Sequence, residues 1–157
     1  MPYSRLETAG RIRREAIAVK EVMEALERAR EELEAAREIA ERFPSSSFEL
    51  AYNVMLFAAT ALLHGEGYRA SVEGHHKTLV EFAEASLGPS HVDLVDEFDE
   101  ARKKRHRTIY DYRKATRREA SHALEVAQTL IEAVELKLTE KGLLTAAEGA
   151  EKKDPAS

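Results

Sequence analysis

Phe48-Glu-Leu-Ala-Tyr-Asn-Val-Met-Leu-Phe-Ala-Ala-Thr-Ala-Leu-Leu63 is apolar on almost every side. Wound at 3.6 residues per turn, such a segment keeps no solvated face, so it is read as a helix at the centre of a bundle. Ser45-Ser46-Ser47 offers N-cap side chains ahead of it, and Gly65 and Gly67 end it. The spacing predicts a helix that opens at Glu49 or Leu50 and closes near His64.

A central helix needs covering, and the flanking segments supply it. Upstream, Val19, Val22, Leu26, Ala29, Leu33, Ala36, Ala40 and Phe43 return in steps of three and four. They predict a long amphipathic helix stopped by Pro44, with Glu24/Arg28 and Glu38/Arg42 as i,i+4 ion pairs on its solvated side. Downstream, Gly74 to Leu87 reads as a third helix closed by Gly88-Pro89, and Ser90 as the cap of a fourth. A fifth begins near Thr116, with Glu119 completing a capping box, and carries Ala123, Ala127, Leu130, Val134 and Leu138 to a stop at Gly142. The reading is an all-α fold, a four- to five-helix up-and-down bundle. One domain is expected over residues 1–143, with residues 144–157 as a flexible tail poor in long apolar residues.

Composition narrows the function classes. The chain has 157 residues, 43% of them hydrophobic, which fits a single domain able to bury roughly two thirds of its unfolded surface. Absence of cysteine rules out disulfides, thiolate metal sites and a Cys nucleophile. The longest apolar run, Val54 to Ala59, is far short of the roughly 18 residues that a bilayer span requires. No apolar leader follows the initial Met-Pro-Tyr-Ser-Arg, and a soluble cytoplasmic protein is expected. With 24 Lys or Arg against 29 Asp or Glu, the net charge of -5 argues against indiscriminate coating of nucleic acid.

That charge is unevenly spread. Arg102-Lys-Lys-Arg-His-Arg-Thr-Ile-Tyr-Asp-Tyr-Arg-Lys-Ala-Thr-Arg-Arg118 holds nine Lys or Arg and one acid, Asp111, so the rest of the chain has 15 cations against 28 acids. On a helix continuing from Val95, the inward stripe runs Leu94, Phe98, Ala101 and then Arg105. A guanidinium at an apolar position demands partners or a water-filled cleft, because an unpaired buried charge costs several kcal/mol. One reading makes Arg105 a phosphate ligand, with Arg102 and Arg107 near it and Tyr110 and Tyr112 available to stack a base. The other makes the run an amphipathic helix end whose cations complement the helix dipole.

The remaining polar residues carry less. His75 and His76 are adjacent, about 100° apart on a helix, and are expected to point to different faces, with His75 capping or packing at the helix start. His64 and His91 lie beside helix ends, His122 falls on a solvated face, and no His-x-x-x-His pair exists, so neither a metal nor a cofactor is expected. Gly65-Glu-Gly67 lacks the third glycine and the strand of a dinucleotide fingerprint, and no Ser nucleophile motif occurs.

The order of these parts is what resembles a family. A long helix, then Ala51 to Leu63 and a glycine turn, then Gly74-His-His-Lys-Thr, then a basic Arg-polar-x-x-x-aromatic-x-Tyr, is similar to the HEPN domain superfamily over residues 20–140. The resemblance implies a helical bundle, a two-fold homodimer and, in many members, a metal-independent ribonuclease of toxin–antitoxin or defence systems. Its signature is Arg, a polar residue, three to five further positions, then His. Arg105 and His106 match the first two, while the signature His would fall where this chain has Tyr110, Asp111 and Tyr112. A tyrosine titrates near 10 and is a poor general base unless its pKa is lowered, so the likeness supports the fold and the dimer more than the nuclease activity. Tyr112 also matches the tyrosine that, in some members, accepts a nucleotide from a nucleotidyltransferase-type partner.

Three functions are therefore expected in order. The first is binding of RNA or nucleotide phosphate through Arg102, Arg105, Arg107, Tyr110 and Tyr112. The second is a ribonuclease toxin acting through Arg105, His106 and Tyr110. The third is a non-catalytic, antitoxin-like interaction protein.

Overall fold

A computed structural model of the chain describes residues 3–144. Their order is α1 (Ser4–Thr8), β1 (Ile12–Arg14), α2 (Val19–Ile39), α3 (Pro44–Gly65), β2 (Tyr68–Ala70), α4 (His75–Leu87), α5 (Val92–Tyr110) and α6 (Arg117–Glu140). The chain is an all-α bundle built on α2 to α6, with α3 at its centre. Ala51, Tyr52, Val54, Met55, Ala58, Ala61 and Leu62 of α3 are fully buried. Its most extensive contacts are with α2 and then α6. By length and composition α3 could cross a membrane, yet 61% of its most apolar window is buried inside the protein. Its hydrophobicity thus serves the core.

The amphipathic helices bury the faces their spacing predicts. In α2 the stripe holds from Val22 through Leu26, Ala29 and Leu33 to Ala36 but not at its predicted ends, Val19 and Phe43 being exposed, and in α6 Ala123, Ala127, Leu130, Val134 and Leu138 are all buried. Thr116 and Glu119 form the predicted capping box. Several boundaries differ. Pro44 opens α3 rather than stopping α2, because its missing N–H is one of those a first helical turn leaves unpaired anyway. Ser45 to Ser47 are consequently not N-caps. Ser47 Oγ donates to Ala36 O at 2.8 Å across the turn from α2, and Ser45 Oγ accepts from Ala115 N at 2.9 Å. Ser90 lies in a 3₁₀ turn, Pro89–His91, and does not cap α5, which has no side-chain cap bond. On α2 the ion pairs are Lys20–Glu24 and Arg28–Glu32 instead of those predicted, and Arg42 lies over the Phe43 ring.

The all-helical expectation missed a two-stranded antiparallel sheet in which Ile12 faces Ala70 and Arg14 faces Tyr68. Three residues a side are too few to show period-two alternation. This strand pair, with α1, closes one end of the core, where Tyr3 stacks on Phe82 at 4.5 Å and Tyr68 donates to Glu7 at 2.8 Å. Arg69 clasps Glu15 and Glu21, tying the sheet to α2. The two glycines after α3 have separate tasks. Gly67, at φ 87°, makes the left-handed turn, whereas Gly65 is the last helical residue and has Leu138 of α6 where a Cβ would stand. Just past this same C-terminal end of α6, Leu144 is buried and its N–H reaches Leu138 O. The remainder of the expected tail, residues 145–157, lies outside the described residues.

Candidate functional site

A cavity of about 770 Å³ lies where the start of α4 meets the last turns of α5. It is lined by His75, His76 and Lys77 from α4, by Arg102, Arg105, His106 and Tyr110 from α5, and by Ala70 at the end of β2 and Val72 beyond it. No carboxylate is among the lining residues. Two turns of α5 place its four contributors: 102, 106 and 110 stand four apart on one face, and 105 lies beside them. Gly74 turns the chain into α4 with φ 68°, and no side chain caps the helix, whose positive dipole end belongs to the same cavity wall.

Arg105 is partly buried, as its place on the inward stripe predicts, and it finds both a partner and a cleft. Its Nε donates to Glu49 Oε1 at 3.0 Å, and its guanidinium carbon lies 5.6 Å from the centroid of the Tyr52 ring. Glu49 is the sole charged residue from Pro44 to Leu63. Two polar intruders, one in each of two apolar stripes, therefore meet. Arg102 is held in the same manner, its Nε donating to Asp99 Oδ1 at 2.8 Å. Burial pushes the Asp99 carboxyl up, but Arg102 and Lys103 outweigh it and hold the group below the usual carboxylate range. Both guanidiniums are thus anchored through Nε, and no protein acceptor among the described residues takes their terminal Nη groups. An Arg fork fixed at one edge and open at the other is suited to an anion's oxygens.

The histidines complete the wall. Adjacency does not separate His75 from His76 as expected; at a helix start bordering a wide mouth, both reach it. Burial lowers the pKa of His75, and burial, then Arg105, His75 and Arg102, lowers that of His76, so both are neutral near pH 7. His76 Nδ1 lies 3.1 Å from the hydroxyl of fully buried Tyr52. His106 packs against Tyr110 with ring centroids 4.5 Å apart. It stands one helical turn from Arg102, a relation the comparison with Arg105 had hidden.

The match of the HEPN domain family's sequence model to residues 22–137 decides the family. The chain belongs to the HEPN family. No curated protein is similar enough to count as a relative.

Within this HEPN bundle, Arg102, Arg105, His106 and Tyr110 come together as candidates, while Arg107 and Tyr112 do not line the cavity. Tyr112 follows the end of α5, 87% exposed and at φ 55°. Much of the basic run is spent elsewhere, Lys103 on Asp99 and Glu100, Arg113 on Glu119 and Arg117 on Glu41. The sequence reading missed Tyr52, Lys77, and the joint presence of His75 and His76. The lone acid of the apolar helix, Glu49, was the available signal, because a charge there must answer another. Glu73 and His76, and Glu119 and His122, have the i,i+3 spacing of metal ligands, but no group of three such residues gathers among the described residues. His122 pairs instead with Glu97 at 2.6 Å.

Proposed function

We propose that this HEPN bundle binds RNA or a nucleotide through its phosphate, acting in the cytoplasm as a two-fold homodimer within a toxin–antitoxin or defence system. The observation that carries the reading is the pair of guanidiniums anchored through Nε, with their Nη groups open in a cavity that no carboxylate lines. Two Arg forks supply paired donors to the non-bridging oxygens of a phosphate, and Tyr110, 67% exposed and resting on His106, offers a face for a base. Tyr112 is exposed enough for a nucleotidyltransferase-type partner to reach.

Titration of a labelled oligoribonucleotide and of 5′-AMP tests the reading. Arg102→Gln and Arg105→Gln should each weaken binding by roughly tenfold or more, the loss of a charge-assisted hydrogen-bond pair. Arg107→Ala, in the same basic run but outside the cavity, should change it by less than about twofold. Equal losses at all three positions would mean a diffuse basic face, and a wild type that binds neither probe sinks the proposal.

A second reading, the metal-independent ribonuclease, is favoured by one observation: imidazoles of His75 and His106 share the cavity with both guanidiniums. One neutral imidazole would take the proton of a ribose 2′-OH as its oxygen attacks phosphorus. A protonated one would give its proton to the departing 5′-oxygen, leaving a 2′,3′-cyclic phosphate and a 5′-hydroxyl. Arg102 and Arg105 would hold the added charge at phosphorus. Incubation of total RNA with the protein in chelator decides it, since cleavage needs no metal on this reading.

A further inference from the structure

The geometry points to Tyr52 as the positioning residue of the phosphate site: its hydroxyl fixes His76 as a hydrogen-bond donor toward the bound phosphate oxygen, and so takes His76 out of the role of proton acceptor. The inference rests on the phosphate-binding reading above and concerns the same cavity.

Tyr52 is fully buried in α3, and its oxygen lies 3.1 Å from His76 Nδ1. That nitrogen is the only polar partner of the Tyr52 hydroxyl among the described residues. Were that hydroxyl to accept from an Nδ1–H, its own buried hydrogen would be left with no acceptor, so the arrangement that satisfies both groups has the phenol donate. Burial also drives the phenol's pKa far upward, with Arg105 and Arg102 working the other way without cancelling it, so the hydroxyl keeps its proton. Nδ1 of a neutral His76 is therefore the acceptor, which puts the ring proton on Nε2. His76 lines the cavity, and Nε2 is the one polar atom its side chain has left to offer there. The same Tyr52 ring lies under the Arg105 guanidinium. One buried phenol thus sets both the tautomer of His76 and the seat of Arg105, and the edges they present are donors only. Around them stand His75, Lys77, Arg102, His106 and Tyr110, with Glu49 and Asp99 behind the guanidiniums. A ligand with several acceptor oxygens fits that wall, and a proton-abstracting role falls to His75 or His106 instead.

Two-bond proton–nitrogen NMR of the histidine rings reads the tautomer directly in the ligand-free protein. At a pH where His76 is neutral, wild type should show it as the Nε2–H form, and Tyr52→Phe should show a mixture. Binding is followed with 5′-AMP and with a short oligouridylate, which separates a free nucleotide from RNA as the source of phosphate. Tyr52→Phe keeps the ring under Arg105 and should weaken binding by roughly three- to tenfold, the worth of one oriented hydrogen bond. His76→Gln, whose amide N–H reaches about where Nε2 stands, should retain binding within about threefold, while His76→Ala should lose roughly tenfold. An Nδ1–H tautomer in wild type, an unchanged tautomer in Tyr52→Phe, or undiminished binding by that variant would each overturn the inference. If wild type binds neither probe, the phosphate site itself falls, whereas the ligand-free spectra still report on the tautomer separately.

Discussion

His64, His75 and His76 are all held below the ordinary imidazole value of 6.5, burial being the largest cause in each case. The unfolded chain takes up protons at these positions near pH 6.5, where the folded protein does not. Stability is therefore full above that pH and declines as pH falls below it, so thermal unfolding at pH 5.5 should come at lower temperature than at pH 7.5. The His75→Gln/His76→Gln variant should narrow that difference. Phosphate binding has the opposite sign, because an anion favours charged imidazoles, and affinity for the short oligouridylate, whose phosphodiesters keep their charge throughout, should rise as pH falls over the same interval. Tyr112 gives a second test at this scale. A tyrosine at φ 55° costs about 1 kcal/mol that glycine would not. Tyr112→Gly should leave stability unchanged or raise it by up to about 1 kcal/mol, and should leave oligoribonucleotide binding intact, since the residue lies outside the cavity. Thermal melts and the same titration check both halves.

Element against element, the bundle is held chiefly by apolar faces, with one buried ion pair set among them. Arg30 of α2 and Glu135 of α6 meet at 2.5 Å with side chains 11% and 4% exposed. Removing one partner strands a charge in the core, so Glu135→Ala should cost about 3–5 kcal/mol in urea unfolding. Replacing both residues, as Arg30→Met/Glu135→Leu, should come within about 1 kcal/mol of wild type or exceed it. Helices were the legible part of the fold. The α2 stripe, the all-apolar α3 and the Thr116 capping box each carry a periodic or local signal that needs no distant partner. Boundaries were less legible, as Pro44 shows: proline forbids a helix interior and favours a helix start with equal physical reason, and only packing chose between them. The strand pair was illegible, because Ile12–Arg14 is a strand solely by virtue of pairing with Tyr68–Ala70 across two intervening helices.

Across the whole molecule the net charge of -5 and the localised cationic cavity predict a modest, local electrostatic term. If two guanidiniums neutralise about two phosphates of a single strand, log affinity should fall with log salt at a slope of about −1.4. A much steeper slope would mean that the strand runs over the wider basic segment. A homodimer would double the cavity count, and light scattering combined with titration should then return one nucleotide per protomer. By itself the sequence determined that the chain is helical, which faces are buried and that Arg105 needs an answer, since periodicity and a misplaced charge are local facts. Tertiary structure alone decided what answers it. Glu49 and Asp99 anchor the guanidiniums, and Tyr52 and His76 stand together though far apart in sequence, because a cavity is made where helices cross and side-chain chemistry there depends on neighbours that no spacing along the chain encodes.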